Sequence, residues 1–92
     1  MLDYRLQTFL TLCETCNYTI TAQKLNMTQP AISQHIQFLE NYYQVKLIQA
    51  KGKHFSLTEE GKALLEYAKT LYASSQQVFP LLNRIKNHVK VL

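Results

Sequence analysis

The chain has 92 residues, of which 47% are hydrophobic and 17% are charged, with only two glycines and two prolines. This composition is typical of one small folded domain and excludes a disordered tail or linker. The sequence contains no run of 18 apolar residues and begins without an apolar leader, so we expect neither a membrane span nor secretion.

The charge balance points to a polyanionic partner. Ten Lys and Arg residues against six Asp and Glu give a formal net charge of +4. A small basic domain favours nucleic acid as a partner, although many such domains bind nothing charged. The charge is therefore a reason to look for a nucleic-acid motif.

Two helices are predicted at the start of the chain. Asp3 is a suitable N-cap for the first, which should end near residues 16–17. A short second helix follows over residues 20–25 with Thr19 as N-cap, and residues 26–27 form a tight connection. Apolar residues at i, i+3, i+4 and i+7 define the buried face of the first helix: Leu6, Phe9, Leu10 and Cys13.

The third helix has one apolar and one polar face. Thr28 is predicted as its N-cap, with its hydroxyl oxygen accepting from the Ala31 N–H, and Pro30 is tolerated in the first turn. No Lys or Arg occurs between residues 28 and 44. The predicted apolar arc holds Ile32, Ile36, Leu39 and Tyr43, and the opposite polar arc holds Pro30, Ser33, Gln34, Gln37 and Asn41.

A small hairpin is expected next. Residues 45–49 and 54–57 read as strands, and residues 50–53 form a turn in which Gly52 can adopt a positive φ. The basic residues at the tip make this hairpin a candidate wing.

The fourth helix begins after Thr58, its predicted N-cap, with Glu59 and Glu60 in the first turn, where the helix dipole favours acid. To Phe79 it would span about 30 Å, and Pro80 should kink or end it. A helix this long outreaches its own domain, so its far apolar turns should pair with a second, antiparallel copy. The predicted dimerisation residues are Leu64, Ala68, Leu71, Tyr72, Ser75, Val78, Phe79 and Leu82.

Two short helices, a tight turn and an amphipathic third helix form the layout of a helix-turn-helix. The exposed face of the third helix must then be narrow and able to hydrogen-bond base edges in a major groove. Because this helix has no cation, phosphate contacts must come mainly from the wing, with Lys24 and Lys46 as further candidates. The predicted DNA-binding residues are Thr28, Gln29, Pro30, Ala31, Ser33, Gln34, Gln37, Lys51, Lys53 and His54.

One segment resembles the signature of LysR-type transcriptional regulators: residues 28–36, which read TQPAISQHI, followed by Leu39 and Glu40. The flanking residues from about Leu6 to Gly61 agree with the family, and so does the long helix. The resemblance implies a mainly α fold, with a winged helix-turn-helix DNA-binding domain over residues 1–58 and a linker or dimerisation helix over 59–92.

The resemblance also implies a function. Members of this family are cytoplasmic bacterial regulators that carry a C-terminal effector-binding domain, which this chain would lack. They bind interrupted palindromic operators in double-stranded DNA as homodimers, or as tetramers in the full-length protein. The sequence departs from the family pattern at Cys16, where glycine is usual. It departs again at Ala50, where a phosphate-binding Arg is common. The phosphate contacts of the wing would then depend on Lys51 and Lys53.

Other functions have less support. The polar face of the third helix could be a solvated surface, and the wing lysines could serve only solubility. Cys13 and Cys16 form a C-x-x-C pair without a second such pair, so we expect no metal or cofactor. No catalytic constellation or glycine-rich phosphate loop is present, so an enzyme is not expected. The alternative class is a winged-helix module that binds proteins.

Overall fold

The computed structural model describes residues 3–51, 54–76 and 80–85, without side-chain positions for Ala50, Lys51, His54, Ser75 and Gln76. Residues 80–85 are helical, and none of the described helices is long and apolar enough to cross a bilayer. The elements in chain order are α1 (Tyr4–Thr15), α2 (Tyr18–Leu25), α3 (Gln29–Tyr43), β1 (Ile48–Lys51), β2 (His54–Leu57) and α4 (Glu59–Gln76).

Side-chain caps set the starts of α1 and α2. The Asp3 carboxylate accepts from the Arg5 N–H at 2.8 Å, as predicted. The prediction of Thr19 as the cap of α2 is wrong, because the Asn17 side-chain oxygen accepts from the Ile20 N–H at 2.9 Å. Asn17 has the extended backbone of an N-cap, so α2 begins two residues earlier than predicted.

The predicted start of α3 is confirmed. The Thr28 hydroxyl oxygen accepts from the Ala31 N–H at 3.2 Å, and proline lies in the first turn. Ile32, Ile36 and Leu39 are buried. Tyr43 was predicted on the same buried arc but is 43% exposed, because it is the last residue of α3 and lies at the edge of the core.

The wing is a two-stranded antiparallel hairpin in which Ile48 pairs with Leu57 and Lys51 pairs with His54. The predicted second strand is confirmed, whereas the first was placed too early in the sequence. The backbone before Ile48 turns towards α3, where the Glu40 carboxylate accepts from the Leu47 N–H at 2.8 Å. Ala50 and Lys51, predicted as turn residues, lie in β1, and residues 52–53 lie outside the described residues.

Helix α4 begins as predicted, with the Gly61 N–H donating to the Thr58 hydroxyl at 2.9 Å. Residues 77–79 lie outside the described residues, and with them the predicted continuation to Phe79 and a kink before Pro80. The core lies between α1, α3, α4 and the loop before β1, and it leaves the opposite side of α3 open to solvent. Its buried residues are Leu6, Phe9, Leu10, Leu12, Ile36, Leu39, Leu47 and Ala68.

Candidate nucleic-acid interface

The exposed side of α3 carries hydrogen-bonding side chains and no formal charge. We call this set the reading face, and all of its members are exposed: Gln29, Ser33, Gln34, Gln37 and Asn41. It lies opposite the buried residues Ile32, Ile36 and Leu39, so packing on the core fixes which way it points. A solvent-facing row of amide and hydroxyl groups on a rigid helix can bind base edges.

The N-terminus of α3 is open on the same side. Thr28, Gln29 and Pro30 are exposed, while Ala31 is half-buried. The first-turn N–H groups of a helix lack carbonyl partners within the helix and favour an anion such as a phosphate. The Thr28 oxygen already caps the Ala31 N–H, which leaves the hydroxyl hydrogen to donate elsewhere.

An open groove of about 410 Å³ lies beside the reading face. It brings Tyr18 from α2 and Lys46 from the loop after α3 next to Ser33 and Gln37. Burial, and then the Glu40 carboxylate, raise the pKa of the Tyr18 hydroxyl, so it remains a neutral donor. Lys46 is exposed. The groove is lined by Tyr18, Ser33, Ile36, Gln37, Glu40, Asn41, Lys46 and Ile48.

Sequence reasoning did not assign a role to Tyr18 or to Asn41. No local pattern could have found Tyr18, because the packing of α2 against α3 brings it to the groove. Asn41 was visible in the sequence on the polar arc of α3, one turn beyond Gln37. Its position in the helical repeat was the available signal.

The loop that carries Lys46 is held from two sides. The Glu40 carboxylate on α3 accepts from the Leu47 N–H at 2.8 Å and reaches the Ile48 N–H at 3.4 Å. On the other side, the Thr58 hydroxyl donates to the Lys46 carbonyl at 2.5 Å, and the Thr58 N–H donates to the Leu47 carbonyl at 3.0 Å. These bonds fix the base of the wing relative to α3.

The back of α3 is held against α1 by a polar and aromatic cluster. The Thr8 hydroxyl donates to the Tyr4 carbonyl at 3.1 Å and lies 2.9 Å from Nδ1 of His35. The Tyr4 ring meets the His35 ring edge-on. The Arg5 guanidinium lies 3.7 Å from the centre of the Phe38 ring and 4.6 Å from that of Tyr4. Arg5 therefore braces α1 on α3 through its stacking on both rings.

The predicted wing contacts fall largely beyond what the structure describes. Lys51 and His54 are paired backbone positions at the ends of the two strands, without described side chains. Lys53 lies outside the described residues. The phosphate contacts assigned to these three residues therefore stay predictions.

The predicted dimerisation residues divide into four groups. Ala68 is fully buried in the core of its own domain, so its side chain does not face a partner, contrary to the prediction. Leu64 and Leu71 are half-buried and pack on the same core. Tyr72 and Leu82 are 39% and 56% exposed. The remaining three, Ser75, Val78 and Phe79, lack described side chains or lie outside the described residues.

Both cysteines are free thiols. Burial is the largest of the effects that raise the pKa of Cys13 to about 12, which keeps it protonated at neutral pH. Cys13 packs against the core. Within residues 3–51, 54–76 and 80–85, no three His, Cys, Asp or Glu side chains lie close enough together to hold a metal ion.

Sequence comparison places this arrangement among known regulators. A family model described as "Bacterial regulatory helix-turn-helix protein, lysR family" matches residues 4–62. The transcriptional regulator CitR of Bacillus subtilis is 35% identical over 86 residues, covering 92% of this chain and 30% of CitR. CysL of the same organism is 33% identical over 90 residues, covering 94% of this chain and 30% of CysL. The chain thus spans about a third of the length of these relatives.

Solved structures agree in fold and in family. A LysR-family regulator from Eggerthella lenta is 49% identical, with a TM-score of 0.70 over 75% of this chain and 99% of that one. The protein in a BenM_DBD/catB site 1 DNA complex is 29% identical, with a TM-score of 0.84 over 92% of this chain and 94% of that one. With the fold of these regulators and a family model that matches more than half of its length, this chain belongs to the LysR family of bacterial regulatory helix-turn-helix proteins.

Proposed function

We propose that the chain binds double-stranded DNA with sequence specificity and places α3 in the major groove. The observation that carries this proposal is the reading face, a row of exposed amides and a hydroxyl on a helix whose other side is locked into the core. A major groove about 12 Å wide admits one helix, and amide side chains can pair with two atoms of one base. The DNA complex of the similar BenM domain supports this proposal.

Most of the affinity for DNA would come from phosphate contacts made by residues outside the reading face. Phosphates on one side of the groove would meet the Thr28 hydroxyl and the Gln29 N–H, since Pro30 has no N–H and the Ala31 N–H donates to Thr28. Phosphates on the other side would meet the Tyr18 hydroxyl and the Lys46 ammonium, with Lys51, Lys53 and His54 of the wing beyond them. In this arrangement phosphate contacts orient the domain and base contacts select the sequence.

The apolar stripe of α4 would join two copies into a homodimer that reads an interrupted palindrome, and longer family members would assemble further, into tetramers. A two-fold dimer presents two α3 helices, so its target carries two inverted half-sites. The site of action would be the cytoplasm, where bacterial DNA lies.

The salt dependence of binding tests this proposal. Affinity for duplex DNA should fall steeply as salt rises, because phosphate contacts release counterions. Lys46→Ala should lower the slope of log K against log salt by about 0.9 per subunit. Lys62→Ala is the matched control, since Lys62 is an exposed lysine on α4 that pairs with Glu59.

Recognition of bases is tested by the sequence preference of binding, separately from its salt dependence. Gln29→Ala should relax the preference at one position of each half-site while leaving the affinity for non-specific duplex unchanged. Equal weakening on all sequences would remove Gln29 from base recognition. If the chain binds no duplex at any salt, the protein-interaction alternative replaces DNA binding.

A further inference from the structure

We infer that α3 selects A·T base pairs, with Gln34 and Gln37 each reading an adenine in neighbouring base pairs of the half-site. The inference rests on the proposed DNA binding and adds the class of base sequence that this chain takes. It follows from the glutamines on the reading face and from the lack of lysine and arginine on α3.

The hydrogen-bonding pattern of a glutamine amide matches adenine. The amide oxygen accepts from adenine N6, and the amide nitrogen donates to adenine N7. Guanine presents two acceptors, O6 and N7, which require two donors such as those of arginine. A glutamine can satisfy only one of the guanine acceptors from the same position, so it favours adenine.

The geometry places the two glutamines at neighbouring base pairs. Gln34 and Gln37 are both exposed on α3 and lie three residues apart. Three residues advance about 4.5 Å along a helix axis, close to the 3.4 Å rise of one base step. Ala31 lies one turn before Gln34 and is half-buried, where its methyl group suits contact with a thymine methyl.

A guanine reader is absent from α3 itself, because no Lys or Arg occurs between residues 28 and 44. The nearest arginine along the back of α3 is Arg5, and its guanidinium is stacked on the Phe38 and Tyr4 rings. Lys46 enters the groove after the end of α3, on a loop tied down by Glu40 and Thr58. It supplies a single ammonium at the edge of the reading face, which suits a phosphate.

Selection from a random duplex pool with the 92-residue chain tests the inference. The recovered half-site should contain two adjacent A·T pairs, each preferred over G·C by roughly tenfold. In Gln34→Arg, one of these pairs should change to G·C with a preference of similar size. In Gln37→Ala, the preference at the other pair should disappear while the first is kept.

Gln7→Arg is the matched control, because Gln7 is exposed on α1 and lies outside the reading face. It adds the same charge and should tighten all duplexes without changing the selected sequence. A parent half-site with G·C at both positions, or an unchanged motif in Gln34→Arg, would overturn the inference while leaving DNA binding intact. If the parent enriches no sequence at all, sequence-specific binding fails and the inference falls with it.

Discussion

Three helices of this domain end on residues with a left-handed backbone, and none of the three is glycine. Cys16, Asn26 and Gln44 follow α1, α2 and α3 with φ values of 54°, 55° and 57°. In this conformation the Cβ of an L-residue crowds the backbone, which asparagine tolerates better than other side chains. Cys16 therefore stores strain, at a position where the family pattern has glycine.

Replacing Cys16 with glycine should stabilise the domain. Cys16→Gly removes the Cβ from a left-handed position and should raise the free energy of unfolding by about 1 kcal/mol, measured by urea denaturation. Asn26→Gly is the matched control and should gain less, because asparagine already accommodates this backbone. Equal gains at both sites would show that the Cys16 side chain adds no particular strain.

The His35 ring on α3 packs against α1, so its protonation affects how these two helices pack. The Thr8 hydroxyl on α1 lies 2.9 Å from Nδ1 of His35 on α3, within hydrogen-bond distance. Burial, followed by the nearby Arg5 charge, lowers the pKa of His35, and Asp3 opposes this shift. The folded domain therefore favours the neutral ring.

The pH dependence of stability follows from the lowered pKa. Below the ordinary histidine value of 6.5, the unfolded chain binds more protons at this position than the folded one. The contribution of neutral His35 is complete above 6.5 and is lost as the pH falls through its lower folded value. Urea unfolding of the parent and of His35→Gln at several pH values should show the parent losing stability relative to the variant on acidification. A pH-independent difference would remove His35 as the cause.

At the scale of elements, the connection from α3 to the wing is set by contacts that no local pattern contains. Residues 45–47 have strand-like side chains, yet β1 begins only at Ile48. The Glu40 carboxylate takes the N–H of Leu47, and Thr58 takes the carbonyls of Lys46 and Leu47. These bonds replace a strand ladder in this segment, so tertiary contacts override the sequence propensity.

Other elements could be predicted because their signals are local. Thr28, followed by proline in the first turn, defined the start of α3, and the periodic apolar residues behind it defined the reading face. The start of α2 was predicted two residues late, because Thr19 was taken as the N-cap although asparagine is the stronger N-cap residue and Asn17 precedes it. The groove at Tyr18 and the Arg5 stacking depend on contacts between helices, which only the fold reveals.

The packing of Gly61 on α4 against Leu47, in the connection from α3 to the wing, leaves no room for an added methyl group. A Cβ at this position would collide with the Leu47 carbonyl oxygen, which is a backbone atom held by Thr58. Gly61→Ala should therefore lower the free energy of unfolding by about 3 kcal/mol, measured by urea denaturation. Lys62→Ala, at the exposed neighbouring residue, should change it by less than about 0.5 kcal/mol. A tolerated alanine at Gly61 would mean that α4 can move away from Leu47 at little cost.

At the scale of the whole molecule, the apolar residues after Thr58 divide into a set buried in their own domain and a set that is exposed. Leu64, Ala68 and Leu71 pack on the core of their own domain. Tyr72, near the end of α4, is partly exposed, and Leu81, Leu82 and Ile85 in the helical residues 80–85 are each more than half exposed. Exposed apolar side chains grouped in this way are typical of an interface between subunits.

Charged substitutions in the exposed set test the homodimer. Leu82→Glu and Tyr72→Glu place a carboxylate where we expect an apolar partner, so each should shift the chain towards monomer in sedimentation equilibrium. Ala73→Glu is the matched control, because Ala73 is exposed on the opposite side of α4 from Leu64 and should leave the dimer intact. Monomers should bind a single half-site but lose the preference for two half-sites at a fixed spacing, since that preference requires two joined α3 helices. If both glutamate variants remain dimeric, the two copies associate through another surface, and the spacing of the operator is set there.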